Sequence, residues 1–208
     1  ARDMLLTPAN ARRVADQLAT MRGAAMKVGQ ILSMDTGDFL PRELADILAR
    51  LRSDARYMPA QQLRKAMSDA YGPDWEQLFY GFENRPLAAA SIGQVHRTVA
   101  PDGREIVLKV QYPGVAASID SDVDNIATLL RMSGLLPAGL DIKPLLEDAK
   151  RQLKAEADYH KEAEFLQAFG DLLRQDQRFL VPEVLPDLTR GTVLAMTYVS
   201  GEPIESDR

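Results

Sequence analysis

Apolar residues recur at helical spacing through the first third of the chain and switch to strand-like alternation near residue 79. Between Ala9 and Met21, Val14, Leu18 and Met21 share a face, with Arg12, Arg13 and Asp16 between them, which predicts an amphipathic helix. Residues 24–34 predict a second, with Met26, Ile31 and Leu32 as its apolar positions. Pro41 stands where a first helical turn accepts proline, and the stripe Leu44, Ile47, Leu48, Leu51 follows it. Pro59 opens a fourth helix carrying Leu63, Ala66, Met67 and Ala70, which Tyr71-Gly72-Pro73 stops.

Residues 79–82 and 94–99 have the aromatic or alternating character of strands. Pro101-Asp102-Gly103-Arg104 is hairpin chemistry, because Asp-Gly suits a tight turn, and residues 105–111 supply the partner strand. A helix is predicted over 118–132 with Ile119, Val123, Ile126, Leu129 and Leu130. After a Gly/Pro break at 134–139 a single long helix is predicted over 144–173, with Leu145, Leu146, Ala149, Leu153, Leu166 and Phe169 as its apolar positions. Residues 183–185 and 192–199 read as two more strands around Pro186-Asp187. This order predicts an α+β fold: a five-stranded antiparallel sheet with a helix between its third and fourth strands, the plan of a protein-kinase small lobe. A helical extension over 1–72 and an extra inserted helix are added to it, and 73–208 reads as a small lobe truncated just after the hinge. Trp75 is expected to pack the junction between helical block and sheet.

Composition narrows the setting. With 46% hydrophobic and 26% charged residues, the chain is that of an ordinary globular protein. A net charge of −5 argues against nucleic acid as a partner, and the absence of cysteine removes disulfides and thiolate metal sites and suits a reducing cytoplasm. No run approaches the ~18 apolar residues that cross a bilayer. His96 and His160 are isolated and suggest no metal site; each reads as a structural or surface histidine.

The chemistry concentrates in three places. The turn Pro86-Leu87-Ala88-Ala89-Ala90-Ser91-Ile92-Gly93-Gln94-Val95 places Ala88, Ala90, Gly93 and Val95 on the fixed positions of the kinase pattern G-x-G-x-x-G-x-V. Two of three glycines are thus alanine, where a Cβ restricts the close approach of backbone amides to phosphate. Lys109 ends an apolar strand fourteen residues after Val95. By itself it reads as an exposed ammonium on an edge strand; behind a matching turn and hairpin it reads as a phosphate-pairing lysine. Glu156, Asp158, Glu162 and Glu164 bring four carboxylates into nine residues, with Asp158 and Glu162 as i,i+4 neighbours. They form either a solvated face balanced by Lys154 and Lys161, or a cluster in which one carboxylate holds Lys109 and others meet a cation from elsewhere. Lys27 and Gln30 share a helical face around Gly29, whose place inside a helix implies close packing.

Together these segments resemble the UbiB family of atypical kinases, also called AarF-domain-containing kinases, whose members support coenzyme Q (ubiquinone) biosynthesis. Residues 25–33 resemble its KxGQ signature, 88–96 its alanine-rich loop, 109–114 its nucleotide-lysine segment and 156–163 its ExD segment; the likeness runs over roughly residues 21–201. The resemblance implies that Lys109 contacts nucleotide phosphates and pairs with Glu162. Ala88, Ala89, Ala90, Ser91, Ile92 and Gly93, followed by Val95, would cover the phosphates. Glu156 and Asp158 would form the ExD pair, engaged by Lys27 and Gln30 over the cleft. Met196 would be the gatekeeper, and Thr197 and Val199 would offer backbone hydrogen bonds to adenine. It further implies ATP and Mg²⁺ as cofactors, quinone-precursor lipids or quinone-biosynthesis enzymes as partners, and a cytoplasmic place peripheral to the inner membrane.

The sequence contains neither an H-x-D type catalytic loop nor a D-F-G, which in this family belong to the large lobe together with the Mg²⁺ ligands. The expectation is therefore a nucleotide-binding and regulatory half without catalytic residues of its own. A non-catalytic pseudokinase scaffold responding to nucleotide or lipid is the second reading. A small-molecule phosphotransferase is a third, disfavoured by the Lys27–Gln30 block.

Overall fold

The computed structural model describes residues 21–35, 57–133 and 141–201. Most of the helix expected over 9–21, the helix behind Pro41 and the break at 134–139 lie outside the described residues. The helices are α1 (Arg22–Asp35), α2 (Ala60–Tyr71), α3 (Val115–Ser133), α4 (Lys143–Glu156) and α5 (Tyr159–Leu173). The strands are β1 (Ala88–Ala89), β2 (Gly93–Val99), β3 (Glu105–Gln111) and β4 (Val193–Thr197), and a 3₁₀ turn spans Trp75–Gln77.

Among the described residues the sheet has four strands in the order β1-β2-β3-β4, with β2/β3 and β3/β4 antiparallel. Five had been expected. Residues 79–82 contribute one bridge, Tyr80 to Val99, because Gly81 turns the chain away at φ +62°. Residues 183–185 contribute one bridge, Val184 to Met196, between two prolines that have no N–H for a ladder. The extra strand lies instead at Ala88–Ala89, inside the expected turn. The 101–104 hairpin is as predicted: Gly103 sits at φ +87°, which glycine adopts without steric cost. Register pairs Val95 with Lys109 and Lys109 with Leu194, so Lys109 is flanked on both sides and the edge-strand reading is excluded.

The chain divides into two compact units. One comprises Met58–Ala88, Gly93–Tyr112 and Asp158–Arg208. Its core joins Leu63 and Met67 of α2 to Ile106, Leu108 and Val110 of β3 and Val193 and Ala195 of β4, with Trp75 and Phe79 beside them. Trp75 meets Phe82 edge-on at 4.9 Å and fills the helix-to-sheet junction. Full burial of each large aliphatic side chain contributes ~1.5–3 kcal/mol.

The other unit comprises Ala1–Tyr57, Ala89–Ile92 and Pro113–Ala157. Here α4 packs on both α1 and α3. Their buried faces carry Ala24, Ala25, Val28 and Ile31; Ile119, Val123, Ile126 and Leu130; and Leu146, Ala149 and Leu153. Helices α3 and α4 follow their predicted stripes, whereas on α1 Ile31 is shared and the expected Met26 is half-buried. Lys150 and Lys154 strap α4 to Asp124 and Asp120 of α3 at 2.7 and 2.8 Å.

The long helix expected over 144–173 is two helices. Asp158 leaves helical geometry (φ −98°, ψ 92°), and its side chain accepts the Lys161 N–H as the N-cap of α5. A short acidic side chain satisfies an otherwise unpaired amide there, so the chain restarts at no loss. Asp158 and Glu162 are therefore i,i+4 neighbours as cap and first turn, with the Glu162 N–H donating to the Asp158 carbonyl at 3.0 Å, and not as two positions inside one long helix. The restart also resets the buried face to Tyr159 and Ala163, and Phe169 is exposed where the continuous pattern had it buried.

Candidate functional site

The first cluster lies within the sheet unit. Strand β3 presents Lys109 between two neighbours, and its ammonium donates to both oxygens of Glu162 at 2.6 and 2.8 Å. The lysine side chain is 14% exposed and the glutamate 32%, so the pair is sheltered without being sealed. Tyr159, fully buried one turn before Glu162, lays its ring 4.9 Å from the same ammonium. The expected partner of Lys109 is thus the one found. Glu164 is exposed and takes no part.

Gly93 begins β2 in the same unit. A Cβ there would run into the Val110 carbonyl and stand 2.9 Å from the Tyr159 hydroxyl. Its φ is not positive. Gly93 is required by the closeness of β3 and α5, a packing reason different from the phosphate approach expected of it. Val95, two residues on, is half-buried in β2 opposite Lys109.

At the far end of the sheet, Met196 pairs with Val107 across β3/β4 and bridges Val184. The Thr197 N–H donates to the Glu183 carbonyl at 2.9 Å, while the Thr197 hydroxyl accepts from the Glu183 N–H. Of the backbone groups expected to face adenine at Thr197, the N–H is already committed. Val199 follows β4 and is half-buried.

The second cluster lies within the helical unit. Lys27 of α1 forms an ion pair with Glu156 Oε1 at the end of α4. The other carboxylate oxygen accepts from the Ser91 hydroxyl at 2.9 Å. Ser91 belongs to the alanine-rich turn, whose next residue, Ile92, is fully buried. Gly23, four residues before Lys27, touches the turn directly: a Cβ would stand 2.6 Å from the Ser91 carbonyl oxygen and 3.0 Å from Ile92 Cγ2. Ala88 and Ala89 are exposed in β1 and Ala90 is half-buried. Gln30 is exposed on α1.

Of the two carboxylates expected to meet Lys27, Glu156 does so. Asp158 serves as the α5 cap instead, with Lys161 Nζ at 3.6 Å, and the Lys161 amide beside it holds its carboxyl below the usual range. Lys154, read as a possible balance for the cluster, goes to Asp120 of α3.

Three participants, the last of them the hydrogen-bonded setting of His96, were not singled out from the sequence. Tyr159 and Gly23 carry no distinctive signal beyond the aromatic three residues before Glu162 and the small-residue run Gly23-Ala24-Ala25. The third is a buried polar chain. The Met58 N–H donates to Gln94 Oε1 at 2.8 Å, which fixes the amide so that its NH₂ donates to His96 Nε2 at 2.7 Å. His96 then carries its proton on Nδ1 and donates it to the Glu83 carbonyl at 2.8 Å. Phe82 stacks on the imidazole at 5.2 Å. Burial pushes the His96 pKa below its ordinary value, opposed in part by the Glu83 hydrogen bond. His96 is thus a satisfied core histidine, as expected.

Among the described residues no helix is long and apolar enough to cross a membrane.

The model of the ABC1 atypical kinase-like domain matches residues 50–207. The chain is 42% identical over 203 residues to the Saccharomyces cerevisiae protein named atypical kinase COQ8, mitochondrial, covering 98% of this chain and 40% of that protein. To the Danio rerio atypical kinase COQ8B, mitochondrial, it is 44% identical over 201 residues, covering 97% and 32%. Among solved structures it is similar to Rv3197 of Mycobacterium tuberculosis, solved as a complex with erythromycin, at TM-score 0.56 and 29% identity over 98% of this chain and 52% of that one. The chain spans less than half the length of these curated relatives. A mixed α/β fold, a lysine–glutamate pair on β3 and α5, and a matching family model over most of its length place this chain in the ABC1 atypical kinase-like family, the UbiB or AarF-domain kinases.

Proposed function

We propose that this chain is the nucleotide-binding and regulatory portion of an atypical kinase or ATPase that supports ubiquinone biosynthesis. The Lys109–Glu162 pair carries the proposal. A strand-borne ammonium, oriented by a carboxylate on both its oxygens and by an aromatic face, is a preorganised donor for phosphate oxygens. Its sheltered position raises the value of each charged contact above that in bulk water.

The other roles follow the same reading. Ala88 to Gly93 cover the phosphates, with Val95 behind them, and Met196 closes the adenine end. With its N–H held by Glu183, Thr197 meets adenine through its carbonyl, and Val199 supplies the N–H. Lys27, held by Glu156, and Gln30 regulate access. Nucleotide fits this chemistry. Among the described residues no three or more His, Cys, Asp or Glu side chains group together to hold a metal ion, and no step is routed through Mg²⁺. Its ligands and the nucleophile-positioning aspartate are assigned to the large lobe of family members. Quinone-precursor lipids or quinone-biosynthesis enzymes are the proposed partners, and the proposed location is cytoplasmic, peripheral to the inner membrane.

Calorimetric titration of the 208-residue chain with ATP, beside the Lys109→Ala and Glu162→Gln variants, tests the reading. ATP should bind the parent chain and fail to bind Lys109→Ala; equal affinity in the two would remove the assigned role. Hydrolysis by the longer protein, with and without quinone-like lipids, then separates an enzyme from a scaffold that binds without turnover.

A further inference from the structure

Residues 89–92 of the alanine-rich turn pack as part of the helical unit. A glycine-rich phosphate loop is free to lift over its ligand. Here Ile92 is fully buried, and α1 approaches the Ser91 carbonyl so closely that only Gly23 fits at the contact. The one polar side chain of this segment, Ser91, points its hydroxyl at Glu156, whose second oxygen holds Lys27.

We propose that Ser91 is a positioning residue that passes nucleotide occupancy at the turn to the Lys27–Glu156 pair. This rests on the nucleotide reading given above. A serine hydroxyl has a single proton to give. In the empty protein that proton goes to Glu156 and ties the turn to α4, and through Lys27 to α1. A phosphate oxygen arriving at the turn competes for the same proton and brings negative charge toward the carboxylate. When the hydroxyl turns to phosphate, Glu156 loses one of its two donors and feels the new charge, and the grip of α4 on Lys27 weakens. Occupied turn and intact Ser91–Glu156 bond exclude one another, so nucleotide loosens α1.

Amide hydrogen exchange on the 208-residue chain, with and without ADP and Mg²⁺, reads this directly, with binding measured in parallel by calorimetry. In the parent chain nucleotide should speed exchange of the α1 amides 24–31 by about tenfold, the size of one lost hydrogen bond to a charged group. Ser91→Ala should show fast α1 exchange already when empty and no further response, while its sheet amides in 105–111 stay protected. Ser91→Thr, which keeps the hydroxyl, should restore the response. Glu156→Gln keeps an acceptor for Ser91 but drops the charge that phosphate repels, so its response should shrink; it serves as the second variant if Ser91→Ala does not fold. Nucleotide that binds the parent chain without changing α1 exchange overturns the inference, and so does an equal response in Ser91→Ala. Absence of nucleotide binding to the parent chain overturns the underlying reading instead, and the calorimetry distinguishes that case.

Discussion

Lys109 bonds both oxygens of Glu162 while its ammonium rests 4.9 Å from the centroid of the Tyr159 ring. Glutamate and tyrosine lie one turn apart on α5, so a single helix face supplies a charge and a π surface to the same cation. Tyr159→Leu removes the ring and leaves the ion pair. Nucleotide affinity should fall several-fold in Tyr159→Leu and by about a hundredfold or more in Lys109→Ala, the ordering expected when a charged contact outweighs an aromatic one. Calorimetry on both variants checks the order, and a reversed order removes the lysine from the site.

Gly93→Ala forces a methyl group against the Val110 carbonyl and the Tyr159 hydroxyl. Backbone cannot yield as a flexible side chain can, so stability should drop by about 1–3 kcal/mol. The urea midpoint would fall with an unchanged m-value. Ala90→Gly, by contrast, should change nucleotide affinity or the ratio of ATP to ADP binding; an unaltered profile counts against a tuned turn.

Asp158→Ala removes the α5 cap and should lower the urea midpoint, whereas Asp158→Asn, which still accepts the Lys161 N–H, should recover most of the loss. The Lys161 amide depresses the Asp158 pKa. Its contribution is thus present above the ordinary carboxylate pKa and disappears as pH falls through the folded value. A cap variant whose midpoint matches the parent chain at neutral pH rules this out.

His96 sets a pH dependence of the opposite origin. Burial lowers its folded pKa, so on acidification the unfolded chain takes up a proton that the folded chain refuses. Stability should be complete above about pH 6.5 and decline as pH falls below it, levelling only beneath the folded pKa. Protonation also turns Nε2 into a donor facing the Gln94 NH₂, a pairing with no acceptor. Urea midpoints between pH 5 and 8 should slope in the parent chain and flatten in this window in His96→Leu.

The helices α2 and α3 were legible because each buries one stripe, and a 3.6-residue period survives in the sequence whatever the partner is. On α1 the small residues Ala24 and Ala25 with Val28 take the buried face, which large apolar side chains did not announce. The hairpin was legible because Asp102-Gly103 encodes its turn locally. The boundary between α4 and α5 was not: Leu153, Leu166 and Phe169 read as one stripe across a cap made by a single aspartate. The two marginal strands failed for a similar reason, since glycine and proline beside them reduce each to one bridge.

Residue type and order alone carried the lysine, the acidic segment, the alanine-rich turn and the family to which they belong, because these are properties of single positions and their spacing. Which carboxylate meets which cation was decided only by the tertiary structure. Glu162 reaches Lys109 because α5 begins afresh at Asp158, and Glu156 reaches Lys27 and Ser91 from the last position of α4. Gly23 and Gly93 show the same division: the sequence displays two glycines, and the closeness of a neighbouring backbone makes each of them necessary. Ion pairing and steric exclusion depend on distances between residues far apart in the chain, and no local pattern records those distances.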